Sequence, residues 1–155
     1  MIYQIPKASC CFGLENYLLL TQMSSDEAKK APEIGSIGWF DLTVPSTESV
    51  RDFYTNVAGW TYDSLPMDGG KYSDYVMKTS AGRPITGICH PLGENAAIPP
   101  QWLLYITVAD VDASLKDVIA LGGSEIKPVA VMEGSGRFCI IRDPAGAICA
   151  LYQPL

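Results

Sequence analysis

The sequence predicts an α+β domain of two tandem β-α-β-β-β modules. Three observations carry that prediction: two amphipathic helical stretches, each preceded by one strand-like run and followed by three; glycines that end both helices; and a length of 155 residues, enough for one self-sufficient core.

The first run begins at Ile37, where Phe40, Leu42 and Val44 alternate with Trp39, Asp41 and Thr43, as in a strand with two differently used faces. Pro45-Ser46 stops it, and Ser46 is expected to cap the following helix, with Glu48 in the first turn. Val50, Phe53, Tyr54 and Val57 recur at i, i+3, i+4 and i+7, giving a short amphipathic helix that ends at Gly59. Strands are expected over 60–64, 72–79 and 85–90, with turns at Gly69-Gly70 and Ala81-Gly82.

The same order then returns. A strand over 102–108 leads to Asp112 as the expected N-cap and to a stripe of Val111, Leu115, Val118 and Ile119 that stops at Gly122-Gly123. Three further strands read over 125–131, 137–142 and 148–153. Asp143-Pro144-Ala145-Gly146 joins the last two with the Pro and Gly placement of a type I turn. Val44 and Val108 close the two first strands, and Arg51-Asp52-Phe53-Tyr54 matches Lys116-Asp117-Val118-Ile119, so the domain reads as an internal duplication. One helix can cover only one face of each four-stranded unit. The other face is left to the second module, a partner chain or a ligand, and function is expected there.

Composition narrows the partners. Hydrophobic residues make up 48% and charged residues 18%, which is globular rather than disordered. The net charge is -6 and the 11 basic residues are scattered, so a surface that tracks nucleic-acid phosphates or anionic lipid is not expected. No apolar run reaches the roughly 18–20 residues that cross a bilayer, and no signal peptide reads at the N-terminus. The 5 cysteines (Cys10, Cys11, Cys89, Cys139, Cys149) lack a Cys-x-x-Cys spacing, which favours reduced thiols and a cytoplasmic setting. Residues 1–32 are expected to be a tail or extension, with Met23 as a candidate natural start, and 33–155 the domain. A docked N-terminal helix using Leu14, Leu18 and Leu19 is the competing view.

Phe-Asp-Leu-Thr-Val-Pro (40–45), Arg-Asp-Phe-Tyr (51–54) before Ala-Gly-Trp (58–60), Val-Ala-Asp-Val-Asp-Ala (108–113) and above all Arg-Asp-Pro-Ala-Gly (142–146) resemble the vicinal oxygen chelate superfamily of glyoxalases, bleomycin-resistance proteins and extradiol dioxygenases. The resemblance covers about residues 35–154. It implies curled mixed sheets around a central cavity, in which His and Glu side chains of metal-using members hold a divalent ion. Carried over singly, those positions fall on Trp39, Leu103, Ala150 and Thr86 or Gly87, so the expectation is a metal-ligand-poor member with no metal and no cofactor.

Strand parity and the resemblance together propose an aromatic-lined cavity of Trp39, Asp41, Leu103, Tyr105, Ile148, Ala150 and Tyr152, with Tyr62, Tyr75 and Met77 added from the middle strands. Asp41 is the sole catalytic candidate, as a base or an anchor for a cation; its plainer role is to hold the strand through hydrogen bonds. His90, the one histidine, reads as a solvent-facing residue, and Glu133-Gly134-Ser135-Gly136-Arg137 as a plain hairpin loop rather than a ligand lid. The reading is a metal-free protein that binds a small aromatic or amphipathic molecule. The alternatives are a glyoxalase- or dioxygenase-type enzyme and an accessory domain. A homodimer is expected, because exposed sheet edges call for cover and the resemblance implies it.

Limited proteolysis is expected to trim residues 1–32 and spare 33–155. Early protection of residues 1–22 would move that boundary.

Overall fold

The computed structural model describes residues 32–155 except residue 97, so the tail or docked helix expected before Pro32 lies outside the described residues. The elements are β1 (Ile37–Thr43), α1 (Thr47–Ala58), β2 (Thr61–Met67), β3 (Tyr72–Lys78), β4 (Pro84–Cys89), β5 (Gln101–Thr107), α2 (Val111–Ala120), β6 (Ser124–Met132), β7 (Gly136–Arg142) and β8 (Ile148–Pro154). This is β-α-β-β-β twice.

All eight strands join one curled, unclosed sheet in the order β2-β3-β4-β1-β5-β8-β7-β6. Within each module the first and last strands run parallel, β1 with β4 and β5 with β8. The modules meet where β1 pairs antiparallel with β5. Both helices cover the outer face. Val50 and Tyr54 of α1 pack on Leu42, Val44, Met77 and Ile88, and Leu115 and Val118 of α2 pack on Cys139, Ile141 and Leu151.

Two details depart from the expected caps. Ser46 sits at the N-cap of α1 in the left-handed region (φ 58, ψ 44) and its side chain makes no capping bond; Thr47 Oγ1 instead donates to the Val44 carbonyl at 2.9 Å. Asp110, not Asp112, caps α2, accepting from the backbone N–H groups of Asp112 and Ala113 at 2.9 and 3.0 Å. Asp112 already lies in the first turn, where its charge complements the helix N-terminus and pairs with Arg137. The α1 stripe is also wider than the contact. Val50 and Tyr54 form the row that meets the sheet, while Phe53 (55% exposed) and Val57 (67%) form the neighbouring i, i+4 row and face water. Ile119 of α2 is likewise exposed.

The turn at 143–146 forms as expected. The Asp143 carboxylate accepts from the N–H groups of Ala145 and Ala147, both at 2.9 Å. Cys139 and Cys149 are free thiols; Cys89 is not among them.

Gly136 opens β7 against the end of β8, and a Cβ there would stand 2.1 Å from the Gln153 carbonyl oxygen. That contact is backbone and cannot yield. Gly136→Ala is therefore expected to destabilise the fold by roughly 2–4 kcal/mol, read as a lower thermal midpoint. A midpoint within a degree of the parent would show that the β7–β8 end is looser than this packing.

Candidate functional site

The inner face of the sheet is set by β1 and β5. Across their seam Asp41 lies opposite Leu103 and Trp39 opposite Tyr105; one strand further, Tyr105 lies beside Ala150. Side chains that sit opposite share a face. Trp39, Leu103, Tyr105, Ala150 and Tyr152 accordingly meet in one buried cluster, with Phe138, Ile140 and Val76 added and Ile148 packed at its margin. These residues touch one another, so the inner face is an aromatic packing layer. Tyr105 and Phe138 rings are 6.2 Å apart and tilted, as aromatic pairs prefer.

Tyr62, Tyr75 and Met77 lie on the other face. Tyr75 and Met77 pack in the α1 cluster, and Tyr62 stands edge-on to Tyr75 at 5.5 Å with the Arg51 guanidinium over both rings. The reason is register: Tyr75 pairs with Ile88, which faces α1, so Asp74 and Val76 hold the inner positions of β3. Asp74 was legible as an acid inside an apolar strand. Phe138 and Ile140 were not, because β7 is apolar on both faces and shows no alternation.

Asp41 is the chemical centre of this layer, with 2% of its surface exposed. The Trp39 indole N–H donates to its Oδ1 at 2.8 Å. Burial pushes its carboxyl up to about 7; hydrogen bonds from Trp39, the Tyr105 hydroxyl and the Gly87 N–H pull the other way, and the nearby Asp74 charge adds to the rise. At neutral pH such a group is divided between acid and base.

A second polar group lies beside it. Asp74, fully buried, accepts from the His90 backbone N–H at 2.8 Å and meets His90 Nδ1 at 3.0 Å, while His90 Nε2 is 3.3 Å from Glu48 on α1. His90 is therefore a bridge between β3 and the start of α1, not the solvent-facing residue expected. Its ring is engaged on both sides by carboxylates that do not converge on one point.

The residues present do not fit a divalent ion. The positions the resemblance assigns to metal ligands hold Trp39, Leu103, Ala150 and, in the first module, Gly87, which lies opposite Asp41 as Ala150 lies beside Tyr105. Thr86 spends its hydroxyl on the Phe40 carbonyl at 2.9 Å. The inner-face carboxylates are Asp41 and Asp74, and both are already engaged, Asp41 by Trp39 and Asp74 by His90. Three or more strong donors around one point are required, and among the described residues no such group of His, Cys, Asp and Glu exists.

The loop at 133–137 is tied to β8: the Tyr152 hydroxyl donates to the Ser135 carbonyl at 2.8 Å, and Leu155 N–H does so at 3.1 Å. Burial pushes the Cys139 thiol up to about 11, which removes it as a nucleophile near neutral pH. A groove of about 370 Å³ runs between α2 and the β7–β8 turn, lined by Val118, Leu121, Ile141 and Leu151 with Asp117 and Asp143. None of the inner-face residues contributes to it, and we place no chemistry there.

The family model described as Glyoxalase/Bleomycin resistance protein/Dioxygenase superfamily matches residues 36–150. CFP32 of Mycobacterium tuberculosis, a glyoxylase by inference in its name, is 37% identical over 120 residues, covering 77% of this chain and 46% of that protein. The anthracycline biosynthesis protein DnrV of Streptomyces peucetius is 31% identical over 133 residues, covering 77% and 47%. The chain spans about half the length of these curated relatives. Among solved structures, methylmalonyl-CoA epimerase from Mycobacterium tuberculosis superposes with a TM-score of 0.52 at 15% identity, over 82% of this chain and 94% of that one. The Mn(II)-bound glyoxalase from Novosphingobium aromaticivorans gives 0.51 at 16%, over 77% and 39%. At such identities these two show the fold alone.

Asp41 makes stability depend on pH. Its carboxyl is raised from 3.8 to about 7, so between those values the folded state holds a proton that the unfolded chain releases. Its contribution is complete below the lower value and is lost as pH rises through the upper one, on the order of 4 kcal/mol in all. Denaturant titrations from pH 4 to pH 8 should show that fall, and Asp41→Asn should flatten it. An unchanged slope in the variant would assign the dependence to other groups.

Proposed function

Because the chain belongs to the glyoxalase/bleomycin resistance protein/dioxygenase superfamily, we propose that it binds a flat aromatic or amphipathic organic molecule against the inner face of its sheet, without a divalent ion. The single observation that carries this reading is that the positions the resemblance assigns to metal ligands hold Trp39, Leu103, Gly87 and Ala150, with the Trp39 indole N–H donating to Asp41 beside them. An aromatic wall with few polar groups recognises a molecule by stacking and shape more than by charge. A relative named for anthracycline biosynthesis supports an aromatic ligand.

An enzyme of the glyoxalase or dioxygenase type is the second reading, and one observation favours it. Asp41, pushed up to about 7 in an apolar setting, is tuned as a general base for proton abstraction near neutral pH. That role would need the ligand's proton within hydrogen-bond reach of Asp41.

The protein is further proposed to act in the cytoplasm as a homodimer. No helix among the described residues is long and apolar enough to cross a membrane. Support for pairing comes from the unclosed sheet and from Phe53 and Val57 on the open side of α1.

Native mass spectrometry of protein from its own host is expected to show a retained small molecule. Elemental analysis should give well under one equivalent of zinc, nickel, iron or manganese, and EDTA should leave the thermal midpoint in place. Stoichiometric metal, or a metal-dependent shift abolished by Asp41→Ala, would replace the binding reading with the enzyme. Light scattering at micromolar concentration should give twice the chain mass; a monomer would remove the dimer.

A further inference from the structure

Two helices leave part of an eight-stranded sheet uncovered. α1 packs over β3 and β4, and α2 over β6, β7 and β8, so much of the outer side of β1 and β5 lies between them. Across that seam Phe40 is opposite Leu104 and Leu42 is opposite Trp102. Phe40 and Trp102 are thus diagonal neighbours, about 7–8 Å apart, on the helix side. Phe40 is 37% exposed and Trp102 39%. The Trp102 ring stands edge-on to Tyr54 of α1 at 5.6 Å, and Tyr54 meets Phe53 in the same way at 5.1 Å. Val57 follows Phe53 by one helical turn. Phe40, Trp102, Phe53 and Val57 therefore belong to one exposed apolar strip that crosses from the seam onto α1.

The strip suits a second copy of this chain. β1 and β5 carry one charged side chain, Asp41, and it points to the inner face. Asp52, next to Phe53 on α1, is paired with Arg51 at 2.7 Å. In a chain of net charge -6, two copies meet most readily where they bring no unpaired like charges together. The exposed parts of the four side chains amount to roughly 400 Å², reckoning about 150–250 Å² for a whole aromatic side chain. A standard interface takes about 800 Å² from each partner, about 65% of it apolar in homodimers, so the strip supplies most of that apolar area. The sheet edges are poorer candidates. β2 carries Asp63 and Pro66, and β6 carries Glu125, Lys127 and Pro128, residues that blunt an edge against pairing. The curated relatives carry about as much chain again beyond the matched part, the amount that a second copy adds.

We propose that two copies pair back to back through this strip, in a two-fold dimer with Phe40 and Trp102 at its centre and Phe53 and Val57 toward its rim. A two-fold contact places the same patch on both sides, and a tryptophan at its centre is the kind of residue that carries most of the binding. The inner faces then point away from one another, and each is built by one chain alone. The inference rests on the homodimer reading given above and assigns it a surface.

Sedimentation of the full chain over a range of concentrations measures the dimer constant for the parent and three variants. Phe53→Asp, at an exposed helix position, and Trp102→Ala should each weaken the dimer roughly 30-fold or more, the loss of one interface anchor. Val131→Asp, equally exposed but on the β6 edge, should leave it within about threefold. The fluorescence of Trp102 is the difference between the parent and Trp102→Phe at a concentration where both are dimeric. It should be shielded from acrylamide in the dimer and become accessible on dilution. A dimer that Phe53→Asp and Trp102→Ala leave intact, or that Val131→Asp breaks, overturns this surface while the homodimer reading stands. A monomer at every concentration removes both. Shielding of Trp102 in such a monomer would assign the strip to residues 1–31 of the same chain.

Discussion

The antiparallel pairing of β1 with β5 is the constraint on which the rest depends. It makes two four-stranded units into one continuous sheet, turns both helices to the same outer side and gives the modules a shared inner face. A slip of β1 by one residue against β5 would carry Trp39 and Asp41 to the helix side and bring Phe40 and Leu42 inward, away from their places beside Leu103 and Tyr105. The bulge between Ile37 and Trp39 lets the seam keep this register while the strand enters from Gly35, whose N–H donates to the Thr107 carbonyl at 2.8 Å.

The two modules share a backbone plan but not a chemistry. On the inner face the first module presents Trp39, Asp41, Thr43, Asp74 and Val76, and the second presents Leu103, Tyr105, Phe138, Ile140, Ala150 and Tyr152. Gly87 and Ala150 occupy matched places beside Asp41 and Tyr105 and are both too small to reach across. Both buried carboxylates of this face, Asp41 and Asp74, therefore come from the first module.

Asp41 shows how hydrogen bonds accommodate a carboxyl buried in an apolar layer. Desolvation alone would drive the carboxyl to its neutral form, and donors from Trp39, Tyr105 and Gly87 restrain that drift. The bulky indole fills space and supplies a hydrogen bond at once. Asp74 follows another course, being matched by the His90 backbone and ring, and through His90 it is linked to Glu48 at the start of α1. The inner face of the first module is thereby coupled to the helix on its outer side.

Periodicity in the sequence determined the module order, the two helices, the turn at 143–146 and the inward parity of β1, β5 and β8. These follow from local rules: alternation along a half-buried strand, glycine after a helix, proline and glycine in a turn. The tertiary structure alone decided the parity of β3, where Tyr72-Ser73-Asp74-Tyr75-Val76-Met77 offers aromatic and apolar residues to both faces and only the pairing of Tyr75 with Ile88 chooses. It also decided which of two acids caps α2 and how His90 is engaged. Each of these is set by contacts between residues far apart in the chain, and burial and hydrogen bonding across strands leave no period in the sequence to read.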